Sequence, residues 1–244
     1  MPTYAITGSS RGLGFGYARG LLEADSSINV VALCRNPETA TQLQELKKEF
    51  EGRVELVKHE ASSEQSAQDA VKAVEGLDIA KGGVDALIAN AGILAGGWAG
   101  PTDNNFVQLL KDNFEVNVYG LVYTYLAFLP LLRKGQKKQI FFLSSVLGSI
   151  GSDFAKAPVA ASYSTSKTAV NMIASKLAAE LGKDGFTVVP FHPGYVKTDM
   201  NGGDSGHGEI SVKEAVDGAV KVFLKVTPED NGKFYQYKGD TLPW

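Results

Sequence analysis

A single cysteine in 244 residues, Cys34, excludes an internal disulfide and a zinc site built on thiolates. Only three histidines are present, His59, His192 and His207, and none has a second histidine or a carboxylate at ligand spacing, so no metal centre is expected. Basic clusters are also missing. None is longer than a pair such as Lys137-Lys138, and 24 basic against 27 acidic side chains leave a net charge of −3. This balance argues against a nucleic-acid groove or a polybasic membrane patch. The longest membrane-like stretch, 120–132, falls short of the ~18–20 residues a spanning helix needs and contains Pro130. The opening residues, Met1 to Thr7, show no charged and apolar leader, so the expected setting is cytoplasmic and reducing.

What the chain does have is apolar material, 44% of its residues, distributed in a regular alternation. Short β-branched runs are expected as strands near 3–7, 28–34, 53–58, 84–89, 138–144, 186–191 and 233–236. Amphipathic stretches are expected as helices near 12–24, 37–50, 63–76, 104–133, 162–183 and 212–225, bounded by turn formers such as Asn36-Pro37, Gly82-Gly83 and Gly185. Strand and helix in strict succession predict βαβ units, hence an α/β protein with one doubly wound, parallel, seven-stranded sheet of the Rossmann type and helices on both faces. No composition shift or repeat divides the chain. Residues 1–244 therefore read as one domain, with a substrate loop at about 195–211.

Ligands of such sheets sit at the carboxyl ends of the strands, where strand order reverses. After the first strand comes Thr7-Gly8-Ser9-Ser10-Arg11-Gly12-Leu13-Gly14, followed by a helical pattern. Glycines let the backbone approach a diphosphate, and the helix N-terminus offers it unpaired N–H groups. A Thr-Gly-x-x-x-Gly-x-Gly string is expected by chance only about 0.02 times in this composition. At the end of the second strand, where an NAD site carries an acid, the chain has Arg35. Arg35 and Arg11 would suit a ribose 2′-phosphate, which predicts NADP(H); two solvated surface arginines are the alternative.

Tyr163 and Lys167 are four apart and so share one helix face, where an ammonium would favour the phenolate. About 0.7 such pairs arise by chance, so the other strand ends must support it. These are Asn90-Ala91-Gly92, Ser144-Ser145 and His192-Pro193-Gly194-Tyr195-Val196-Lys197-Thr198. Leu94, Trp98, Phe154, Tyr195 and Met200 flank them and could form an apolar substrate pocket. The 202–208 glycine run could hinge a lid.

With these motifs in this order, the chain resembles the short-chain dehydrogenase/reductase superfamily over essentially its whole length. His192 to Met200 and Gly239 to Trp244 look like the subgroup of C-factor, sniffer-type carbonyl reductases and norsolorinic acid ketoreductase-like proteins. The resemblance implies Tyr163 as acid/base and Ser145 as hydrogen-bond donor to the substrate carbonyl. Lys167 would hold the nicotinamide ribose and lower the Tyr163 pKa, and Asn117 would anchor a relay water. It further implies Gly8, Ser10, Arg11, Leu13 and Gly14 at the diphosphate and adenosine end, Asn90 and Gly92 near the adenosine ribose, and Glu60 near adenine. Pro193, Gly194, Val196 and Thr198 would border the nicotinamide. Seventeen residues separate Ser145 from Tyr163, several more than is common in the family, which predicts a reshaped substrate wall.

The implied activity is NADPH-dependent reduction of a ketone or aldehyde, reversible to alcohol oxidation. A protein that senses NADP(H) without turnover is the second reading. The long helices near 104–133 and 162–183 carry surplus apolar surface, and with the family's four-helix interface they imply a homodimer or homotetramer.

Overall fold

A computed structural model of the protein describes residues 1–201 and 208–244. The seven strands are β1 (Thr3–Thr7), β2 (Asn29–Cys34), β3 (Val54–Lys58), β4 (Ala86–Ala89), β5 (Gln139–Leu143), β6 (Thr187–His192) and β7 (Tyr235–Gln236). They form one sheet in the order β3-β2-β1-β4-β5-β6-β7, every pair parallel. Among the described residues the α-helices are α1 (Gly12–Ala24), α2 (Thr41–Glu49), α3 (Glu64–Glu75), α4 (Phe106–Phe114), α5 (Gly120–Lys134), α6 (Ala161–Leu181) and α7 (Val212–Lys225).

Because successive strand side chains point to opposite faces, β1 divides its residues between two cores. Tyr4 and Ile6 pack with α1, α2 and α7, whereas Ala5 packs with α3, α5 and α6. Both faces are therefore covered, and the strands read as continuous apolar runs, as parallel sheets require. The order reverses between β1 and β4, which opens the cleft at their carboxyl ends.

Two of the expected helices are broken. Pro37–Thr39 forms a separate 3₁₀ turn, and Ala40, outside helical geometry, delays α2 to Thr41. The expected helix 104–133 is α4 and α5 joined by a π turn over Glu115–Tyr119. Directly after it Gly120 lies against the Ala61 backbone so closely that a Cβ would meet the Ala61 carbonyl oxygen. Taken with the π turn the helical run Phe106–Lys134 is long and apolar enough to cross a membrane, unlike the shorter stretch read from sequence. Phe128, Leu131 and Leu132 on it are fully buried against the sheet, as in a core helix.

Candidate active site

The phosphate turn is built by close backbone approach. Gly8 and Gly12 take φ of +65° and +56°, a region that favours glycine. At Gly14 a Cβ would lie 2.3 Å from the Gly8 carbonyl oxygen and 2.6 Å from Asn90 Nδ2. Asn90 Nδ2 donates to the carbonyls of Thr7 (2.9 Å) and Gly8 (3.3 Å), and the Ala91 N–H donates to Thr7 Oγ1 (3.0 Å). Asn90 thus clamps the glycine turn onto β4. The N-terminus of α1 has no side-chain cap and no acid in its first turn. Its free N–H groups and positive dipole end open onto the glycine turn, the arrangement that accepts a phosphate.

A cleft of about 460 Å³ runs from this turn to α6. Among the expected residues it gathers Gly8, Ser10, Arg11, Leu13, Gly14, Arg35, Glu60, Asn90 and Gly92 at one end. Leu94, Tyr163, Lys167, Pro193, Thr198 and Met200 line it further along. Arg11 pairs with Asp199 at 3.2 Å and Arg35 stands 4.0 Å from Glu60, with Arg11, Asp199 and Arg35 largely exposed and Glu60 half-buried. Exposed pairs of this kind are worth less than about 1 kcal/mol, so both guanidiniums can be exchanged onto a phosphate.

Tyr163 and Lys167 enter on α6, whose start is set by Ala160, buried and left-handed at φ +49°. Its successor, Ala161, donates to the Ala99 carbonyl at 3.0 Å. Lys167 Nζ donates to the Leu143 carbonyl at 2.7 Å and lies 5.6 Å from the centroid of the Tyr163 ring. Burial lowers the Lys167 pKa to about 8. Burial also raises the Tyr163 phenol to about 12, against a smaller opposing pull from the nearby Ser145 side chain. Desolvation is the larger influence on the phenol, and its direction is opposite to the lowering expected from Lys167.

Asn117 is held in place by its side-chain amide. From the π turn its Oδ1 accepts from the Ile93 N–H (2.8 Å), while Nδ2 donates to the Ile93 carbonyl (3.0 Å) and to Ser166 Oγ (3.1 Å). Both amide hydrogens tie the segment after β4 to α6, so the side chain acts as a clamp beside Lys167. Of the expected apolar wall residues, Leu94 and Met200 line this cleft. Trp98 and Tyr195 pack edge to face at 5.9 Å and, like Phe154, do not line the cleft. Phe154 sits on a 3₁₀ turn, Asp153–Lys156, with 57% of its surface exposed. Gly194 and Val196 also stay out of the lining: Gly194 packs on Tyr237 and Ile210, and Val196 bridges to Ile210. The 202–207 part of the expected hinge, with His207, lies outside the described residues.

Sequence reasoning passed over His59, which lines the cleft, is fully buried and hydrogen-bonds Thr124 Oγ1 through Nε2 at 3.1 Å. Thr124 donates its own hydrogen to the Gly120 carbonyl, so His59 is the donor in that pair and carries its proton on Nε2. Burial lowers its pKa to about 4. In an unfolded chain the ordinary value is 6.5, so between pH 6.5 and 4 the unfolded state binds a proton that the folded state does not. Stability is complete above 6.5 and falls as the pH drops toward 4, by up to about 3 kcal/mol. His192, whose pKa burial likewise lowers to about 4, adds a loss of the same sign, so urea midpoints should decline from pH 7 to 4 and His59→Gln should make the decline shallower without abolishing it.

A doubly wound sheet with a phosphate-accepting turn at its switch point and a Ser-Tyr-Lys group two strands away defines a dinucleotide-dependent oxidoreductase architecture. The family model for short chain dehydrogenase matches residues 3–207, and the chain belongs to that family. An uncharacterized oxidoreductase of Schizosaccharomyces pombe is 35% identical over 256 residues, covering 99% of this chain and 97% of the relative. The structure of the carbonyl reductase Sniffer of D. melanogaster superposes with a TM-score of 0.90 at 31% identity, over the full length of both chains. An NADPH-bound carbonyl reductase from chicken fatty liver gives a TM-score of 0.89 at 30% identity, covering 100% of this chain and 94% of that one.

Proposed function

We propose that the protein is an NADPH-dependent carbonyl reductase that converts ketones or aldehydes to alcohols. The observation that carries this reading is the Tyr163 ring with Lys167 Nζ 5.6 Å from its centroid, in the same cleft as an uncapped helix N-terminus. Gly8, Gly12 and Gly14 leave backbone space for a diphosphate, and Arg11 and Arg35 supply cations for a ribose 2′-phosphate. When bound, the nicotinamide supplies a hydride to the carbonyl carbon. Tyr163 gives its proton to the carbonyl oxygen, Ser145 hydrogen-bonds the same oxygen, and Lys167 holds positive charge beside the phenol as it becomes anionic.

A phenol near 12 starts the reduction with its proton in place, so reduction is favoured at neutral pH and alcohol oxidation should accelerate as the pH rises. The specific test compares NADPH with NADH. In wild type, kcat/KM should be at least about tenfold higher with NADPH, the discrimination that ~1.4 kcal/mol of charge-assisted bonding provides. Arg35→Ala should collapse that ratio by weakening NADPH alone; an unchanged ratio would remove Arg35 from cofactor selection. A cytoplasmic homodimer or homotetramer is part of the same proposal. The oligomer is supported by apolar side chains left exposed on the long helices, Val107 on α4, Leu126 on α5 and Met172 on α6.

A further inference from the structure

The loop after Ser145 is held from two sides. On one side, Gly148 presses on α6 so closely that a Cβ would lie 2.6 Å from the Lys167 carbonyl carbon. The Gly148 carbonyl accepts from Thr168 Oγ1 and Asn171 Nδ2, both at 3.1 Å. On the other side stands the segment that follows β7. Ser149, 1% exposed, donates its hydroxyl to the Pro243 carbonyl at 2.6 Å, and the Gly151 N–H donates to the Trp244 carbonyl at 2.6 Å. A Cβ at Gly151 would lie 2.9 Å from that Trp244 oxygen and 3.1 Å from Pro243 Cβ, so glycine permits the approach.

The segment is itself anchored. Leu242 donates to the Phe234 carbonyl at 2.7 Å, Thr241 bridges to Tyr235, and the Trp244 ring lies 6.1 Å from the ring of buried Phe234. Only three residues separate Ser145 from Ser149, and the Ser145 hydroxyl also accepts from the Leu147 N–H at 3.2 Å within that span. A displacement at Ser149 is thus transmitted along a short, hydrogen-bonded turn to the hydroxyl facing Tyr163.

We propose that Ser149 and the Pro243-Trp244 segment form a strap that positions Ser145 for its hydrogen bond to the substrate carbonyl. This rests on the reading of Ser145 given under the proposed function. Ser149 is a positioning residue, since it acts through Ser145. The strap also links the outer edge of the sheet to the reacting centre, because Phe234 and Tyr235 hold the segment in place.

The experiment is a double-mutant cycle on the full chain, read as kcat for carbonyl reduction and as Kd for NADPH by fluorescence titration. Ser149→Ala should lower kcat about tenfold, in line with the effect of a sub-ångström misplacement, and leave NADPH Kd unchanged. Gly151→Ala, which pushes the strap away with Ser149 intact, should act in the same direction. In a Ser145→Ala background, Ser149→Ala should cost less than about twofold, because the group it positions is gone. Equal losses in both backgrounds, or no loss in the wild-type background, would overturn the proposal. If the wild-type protein reduces no carbonyl, the reading of Ser145 fails on its own. The strap is then judged by amide hydrogen exchange, which Ser149→Ala should accelerate in residues 145–152 and not in α6. Unchanged exchange there would overturn it as well.

Discussion

Tyr163→Phe should lower kcat for carbonyl reduction by about 10²–10⁴-fold, the range contributed by a positioned proton donor, while NADPH affinity stays within about twofold. The substitution removes one oxygen and leaves the ring, so the Lys167 contact at 5.6 Å and the packing of α6 persist. With the phenol near 12, wild type carries the transferable proton throughout the neutral range. In the variant the Ser145 hydroxyl can still polarise the carbonyl but has no acid to deliver a proton. Steady-state rates and fluorescence titration of NADPH separate the two effects. A variant within tenfold of wild type would place the proton donor elsewhere.

Gly14→Ala should weaken NADPH binding by up to about 100-fold. The added Cβ would lie 2.3 Å from the Gly8 carbonyl oxygen, so the turn must open and Asn90 must release it. The free protein relieves this strain by moving the turn outward, and binding has to drive it back. Overpacking of this kind costs about 1–3 kcal/mol, which sets the upper bound on lost affinity. Titration of NADPH measures it directly, with circular dichroism confirming the fold.

The sheet was legible in the sequence because most strands are short apolar runs, and several are followed by small or polar turn residues at their carboxyl ends. Thr7 to Gly14, Asn90 to Gly92, Ser144-Ser145 and Pro193-Gly194 mark four strand ends in chain order, and the structure aligns them along one edge. The features that sequence reasoning did not reach have a different origin. The π turn at 115–119 depends on how closely Gly120 meets Ala61, a contact between distant segments. The Tyr163 pKa depends on burial, which a spacing of four residues does not reveal. Phe154 is apolar and close to Ser145 in sequence, yet a 3₁₀ turn directs it to solvent. His59 carried no motif, and only its burial against Thr124 brings it to notice. Likewise, nothing in the string Gly239 to Trp244 announces that its carbonyls reach Ser149 and Gly151.

The central claim is that this cleft moves a hydride onto a carbonyl carbon, with Tyr163 supplying the proton. The most direct measurement uses NADPH carrying deuterium at the transferable nicotinamide position, incubated with a panel of small and bulky aldehydes, ketones and quinones. Products are then read by mass spectrometry. The account predicts one deuterium on the carbinol carbon of at least one product, and none in the Tyr163→Phe variant. Tight NADPH binding with no labelled product across the panel would contradict it and favour a protein that senses NADP(H) without turnover.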